Sequence, residues 1–109
     1  MSHRAEQITS TIQRAVQTVI SRGLNDPRVR GLVSVTKVVV DDDLAKATVF
    51  VSVMPAERGA LTMHGLRAAA KRIRRDVGNV IRLRRTPRLS FRLDDSIQRQ
   101  SELEQSLKE

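Results

Sequence analysis

The chain has no cysteine, no tryptophan and no tyrosine. Without cysteine, disulfides, cysteine-ligated zinc and thiol catalysis are excluded. Two phenylalanines are the whole aromatic complement, so the core must be aliphatic and there is no set of rings on which bases could stack. No apolar run approaches the ~18–20 residues of a membrane span, and the residues before Ile8 lack the apolar centre of an export signal. A cytoplasmic protein is expected. No phosphate-binding glycine loop, dinucleotide fingerprint or Ser/His/Asp spacing is present. His3 and His64 have no neighbouring ligand pattern and read as surface residues. Asp41-Asp42-Asp43 lacks the further ligands of a calcium loop and reads as a hairpin turn, so neither a metal nor a cofactor is expected.

What the chain does have is positive charge, and in one place. The net charge is +8 over 109 residues. Between positions 67 and 92 stand ten basic residues and one acid, Asp76, a local +9 that leaves −1 for everything else. The ten are Arg67, Lys71, Arg72, Arg74, Arg75, Arg82, Arg84, Arg85, Arg88 and Arg92. One acid cannot neutralise them, so a merely solvated helix face is the weaker reading, and a polyphosphate partner the stronger. Arginine outnumbers lysine sixteen to four, which suits bidentate phosphate binding and also fits a GC-rich coding bias.

The length fits one domain, burying roughly 60–70 % of its unfolded surface. Residues 3 to 22 predict a helix, with Ile8, Ile12, Ala15, Val16, Val19 and Ile20 as its apolar stripe and Gly23 as its stop. Asp26-Pro27-Arg28 turns the chain, with Asp26 as a turn acceptor and Pro27 as a rigid stop. Val33 to Val40 and Ala45 to Val53 predict a hairpin. From about Ala60, a stripe of Leu66, Ala69, Ala70, Ile73, Val77, Val80 and Ile81 predicts a helix of ~20 residues, weakened at Gly78-Asn79 and closed by Thr86-Pro87. Arg88 to Leu93 alternates as a third strand, with Arg88, Ser90 and Arg92 facing outward and Phe91 in the core. Asp94-Asp95-Ser96 can cap a last, mobile helix from 97 to 107, placing the domain at 1–96 and a tail at 97–109. The sum is a two-layer α+β domain, three strands with helices on one face.

Several segments in register carry a family likeness. Asp26-Pro27-Arg28, Val35-Thr36-Lys37-Val38 and Asp43-Leu44-Ala45-Lys46-Ala47 leading into Val49-Phe50-Val51-Ser52 resemble ribosome-binding factor A. Leu66, Ile73-Arg74, Leu83-Arg84, Pro87-Arg88-Leu89-Ser90-Phe91, Asp94 and Ser96 continue the likeness, which covers Arg4 to Ser96. The resemblance implies a KH-like type II domain, helix-strand-strand-helix-helix-strand. It also implies binding to the small (30S) ribosomal subunit, help in late maturation and processing of 16S ribosomal RNA, and no enzymatic activity. The partners it implies are that subunit and its RNA, with an assembly GTPase left open, and a monomeric protein. In the family the long helix kinks at an Ala-x-Gly motif; here the position reads Ala69-Ala70-Lys71, with lysine in place of glycine.

The glycines, at 23, 31, 59, 65 and 78, form no Gly-x-x-Gly pair, the loop with which an ordinary KH domain clamps single strands. Recognition of a shaped RNA surface through its phosphates is therefore expected, by Arg67, Lys71, Arg72, Arg74, Arg75, Arg82, Arg84, Arg85 and Arg88, with Arg28 and Arg30 as candidate extensions. Two other classes compete. One is a basic adaptor for an acidic protein or membrane surface; the other is a small hydrolase using the scattered carboxylates.

Overall fold

The structure, a computed structural model, describes residues 3–94 and Ser96. Helix α1 (His3–Ser21) leads through a loop to strand β1 (Leu32–Val40), which turns into β2 (Lys46–Met54). A cis Met54–Pro55 peptide and one 3₁₀ turn (Ala56–Arg58) precede helices α2 (Gly59–Ala68) and α3 (Ala70–Val80). Strand β3 (Arg88–Leu93) completes the fold. The sheet order is β1-β2-β3, with β1 antiparallel and β3 parallel to β2. The predicted helix from 97 to 107 and its cap residue Asp95 lie outside the described residues.

The core is the aliphatic layer that the composition requires. Ala47, Val49, Val51 and Val53 point from β2 towards the helices and are buried, with Leu89 and Phe91 beside them on β3. Against them lie Ile12, Ala15, Val16 and Val19 of α1, Leu66 of α2, and Ile73 and Val77 of α3. Burying such a side chain is worth about 1.5–3 kcal/mol, so these residues are the main favourable contribution to folding. Val80 departs from the predicted stripe: it is 40 % exposed at the last residue of α3.

Strand β1 changes which of its residues face inward. Val33 and Val35 are buried, then Val38, because a bulge at Thr36 shifts the pairing from Val35↔Val51 to Lys37↔Phe50. The exposed edge of β1 is closed by a side chain. The Val35 N–H donates to Gln17 Oε1 (2.7 Å), and Gln17 Nε2 donates to the Val33 carbonyl (3.3 Å), as a neighbouring strand would. In the hairpin turn, Asp43 Oδ1 accepts from the Ala45 N–H and Leu44 takes a φ of 60°. That gives this acid a turn-holding task.

The long helix is interrupted, and not where glycine weakens it. Helix α3 runs through Gly78 and Asn79 to Val80. The break is at Ala69, with φ −92° and ψ 3°, a conformation open to alanine, so no glycine is needed at 71. Ala70 and Lys71 are the first two residues of α3. Backbone hydrogen bonds pass the break on both sides, Ala69 N–H to Gly65 (3.0 Å) and Ile73 N–H to Ala69 (2.8 Å).

The Asp26-Pro27-Arg28 loop lies directly on α2. A side chain at Gly65 would run into Val29 Cγ2, at 2.6 Å from an added Cβ, so the glycine permits this approach. Asp26 accepts the Arg28 N–H and two guanidinium donors, the shorter at 2.6 Å. These bonds lower its pKa to about 2. Asp94 is likewise lowered to about 2, by the Thr36 hydroxyl (2.6 Å) and the Ser96 N–H (3.0 Å). Arg28, a candidate for the basic surface, is thereby committed to Asp26, while Arg30 is exposed.

These contacts can be tested one at a time. Replacing Gln17 with alanine leaves the β1 edge unpaired and should lower stability in urea unfolding by about 1–2 kcal/mol; an unchanged midpoint would show that the edge is satisfied without it. Asp26 and Asp94 protonate near pH 4 when unfolded but near pH 2 when folded. Their stabilisation is therefore complete above about pH 4–5 and is lost as pH falls towards 2. An Asp26→Asn, Asp94→Asn double variant should flatten the fall in melting temperature across that window.

Candidate nucleic-acid interface

Helix α3 has one side committed to the core through Ile73 and Val77, so its cations must divide between the two remaining flanks. On the flank towards the 81–87 loop, Lys71, Arg74 and Arg75 line a groove with Gly78, Asn79 and Thr86. The groove continues past Arg74 and Thr86 to Arg85, Pro87 and Arg88 and to the hairpin residues Leu44 and Ala45. On the other flank, Arg72 and Asp76 line a second hollow with Val19, Arg22 and Val80 at the end of α1, which meets the groove at Asn79. The structure therefore brings Lys71, Arg74, Arg75, Arg85 and Arg88 together and sets Arg72 apart.

Two of the predicted contact residues also bind the fold itself. Arg74 donates from Nε (3.0 Å) and Nη2 (2.7 Å) to the carbonyl of Thr86, fastening the 81–87 loop to α3. At the loop's end the Arg88 N–H bonds the Ala45 carbonyl (2.9 Å), so the groove floor is held at both ends. Arg67 reaches from α2 to the Phe91 carbonyl on β3 (3.4 Å), a weak contact. Arg82 and Arg84 are exposed on the connection between α3 and β3.

The remaining cations have little to neutralise them. Asp76 stands 4.0 Å from Arg72 and 3.9 Å from Arg75, distances at which exposed pairs contribute little. Among the described residues, no carboxylate lies within 4.0 Å of Lys71, Arg82, Arg84, Arg85 or Arg88. Exposed guanidiniums and an ammonium around a fixed groove, with few acids, make a surface suited to several phosphates at once. Sequence patterns marked the cations but missed Thr86, because a backbone carbonyl leaves no signal in residue type. They also missed Arg22, which the end of α1 places beside Arg72.

The anchoring role of Arg74 is separable from charge. Arg74→Gln should cost about 1–2 kcal/mol of stability and loosen the loop, with faster amide exchange at 82–87. Arg75→Gln, at a residue whose side chain is 71 % exposed, should change stability by less than about 0.5 kcal/mol. Equal stability loss in both variants would remove the anchor.

The same fold recurs in known proteins. The sequence profile of the family described as ribosome-binding factor A matches residues 4–107. Ribosome-binding factor A of Acetivibrio thermocellus is 44 % identical over 97 residues, covering 88 % of this chain and 79 % of the relative. The protein of the same name from Geobacter metallireducens is 36 % identical over 110 residues, covering 100 % of this chain and 92 % of its own. Among solved structures, the crystal structure of ribosome-binding factor A from Thermus thermophilus superposes with a TM-score of 0.70 at 28 % identity, covering 82 % of this chain and 94 % of that one. A Thermus thermophilus ribosome binding factor A homology model fitted into the cryo-EM map of a 30S–RbfA complex gives 0.61 at 27 % identity, covering 88 % and 97 %. In profile, in sequence and in fold, the chain belongs to the ribosome-binding factor A family.

Proposed function

We propose that this protein binds the small ribosomal subunit and assists late maturation of its 16S RNA in the cytoplasm, without enzymatic chemistry. The contact is made by the groove around Thr86. Lys71, Arg75, Arg85 and Arg88 meet backbone phosphates there, while Arg74 holds the loop that carries Arg85. The single observation behind this reading is the gathering of these cations along one anchored groove, with little carboxylate charge among the described residues to neutralise them. The fit of a homologous fold into a 30S complex supports the choice of partner. Recognition at the groove rests on charge and shape, since the chain has neither the paired-glycine loop nor the set of several aromatics that single-strand readers use.

The test is co-sedimentation of the protein with purified 30S subunits across a salt series. If the four groove cations each neutralise one phosphate, log affinity should fall with log salt at a slope of about −3.6, taking ~0.9 per phosphate from duplex DNA. A variant carrying Lys71→Gln, Arg75→Gln, Arg85→Gln and Arg88→Gln should lose most of that slope and dissociate at moderate salt, with its melting curve little changed. Undiminished binding by this variant would move the contact surface elsewhere. Loss of binding to acidic proteins or anionic vesicles, with 30S binding intact, would favour the adaptor reading.

A further inference from the structure

Among the described residues, the helices cover one face of the sheet and leave the other open. On the open face of β2 stand Lys46, Thr48, Phe50 and Ser52, alternating with the buried valine row. Phe50 is half-buried at the centre, with Lys37 of β1 and Arg92 of β3 as its register partners. The Lys37 ammonium sits over the Phe50 ring, 5.7 Å from its centroid, so a base stacks there only as Lys37 swings aside to a phosphate; Arg92 is exposed. The next row is Val39, Thr48 and Ser90; beyond it Lys46 pairs with Arg88. Arg88 thus belongs to two surfaces: it lines the groove with Arg74 and Arg85, and it begins the open sheet face.

We propose that the open sheet face is a second RNA contact, taking unpaired nucleotides that run on from the groove over Arg88, with one base stacked on Phe50 and its flanking phosphates on Lys37 and Arg92. This rests on the reading that the groove binds RNA. Charge selects the occupant. The face carries Lys37, Lys46, Arg88 and Arg92, and a second copy of this chain would bring the same four cations against them. Among the described residues, the acids near it are Asp94, which Thr36 and Ser96 hold ionised and which already attracts Lys37, and the hairpin acids beyond Lys46. The ring selects the nucleic-acid form, since a base must be unstacked from its duplex to lie on an aromatic side chain. One ring gives one stacked base, so the contact tolerates any sequence and depends on the chain being single-stranded.

The test is an NMR titration of the full chain with an eight-nucleotide single-stranded oligoadenylate, run beside the same sequence in a duplex. The expected result is amide shifts at Thr48, Phe50, Ser90 and Arg92 for the single strand only, with Arg85 and Arg88 shifting for either form. Phe50→Leu, which keeps an apolar side chain but removes the ring, should weaken single-strand binding by about five- to 150-fold. Should that variant fold poorly, Lys37→Gln with Arg92→Gln serves instead, since both residues are exposed; it should weaken binding at low salt. Shifts confined to α3 and residues 81–87, with both sheet variants binding like the parent, would overturn the proposal and leave the groove reading standing. No shifts on either surface, together with undiminished 30S binding by the groove variant, would overturn both.

Discussion

The cationic surface depends on how α3 is fastened. Ile73 and Val77 bury its inner side in the core beside α1 and β3, and Arg74 fixes the loop beyond its end by bonding the Thr86 carbonyl with two donors. The first fastening is hydrophobic and sets where the helix lies; the second is directional and sets where the 81–87 loop lies against it. Once both are in place, the backbone positions of Lys71, Arg75, Arg85 and Arg88 are set, and among the described residues no strong ion pair holds their side chains. Multiple weak phosphate contacts profit from such a frame, because the entropy of ordering the backbone has already been met by folding.

The composition explains why this frame is built as it is. With two phenylalanines and no larger ring, the core has to be filled by close approach of aliphatic side chains, which keeps the helices tight on the sheet. Phe91 goes inward and Phe50 outward, so half of the aromatic complement is left on a face that none of the described helices covers. The β1 edge is closed by a polar side chain from a helix, Gln17, and the β3 edge receives one weak contact from Arg67. Both helices therefore spend polar residues on the sheet as well as apolar ones.

Much of this was legible in residue spacing. The α1 stripe, the inward row of β2 and the bounds of β3 follow from periodicity, because each such element has one buried side and the pattern records it. Three features were not legible, each for a physical reason. The bulge at Thr36 replaces a valine-rich alternation with a change of parity that residue type does not encode. The break at Ala69 lies within the Ala69-Ala70-Lys71 position that the family likeness marked, but spacing alone does not show it, because alanine accepts the conformation without a telltale residue. Gly78-Asn79, by contrast, carries the residue types of a weak point and stays helical. The division of the cations between the two flanks of α3 depends on which neighbours the fold supplies, Thr86 on one side and Arg22 on the other. Charge counting found the patch; only packing sorted Arg74, an anchor, from Arg75, an exposed cation.

The most direct measurement is photo-crosslinking of the protein bound to 30S particles, with the linked peptides identified by mass. RNA crosslinks should fall on peptides spanning residues 71–88. Crosslinks concentrated instead on the outer side of α1 or on the Asp41–Asp43 turn, with none between 71 and 88, would contradict the placement of the RNA contact on the groove.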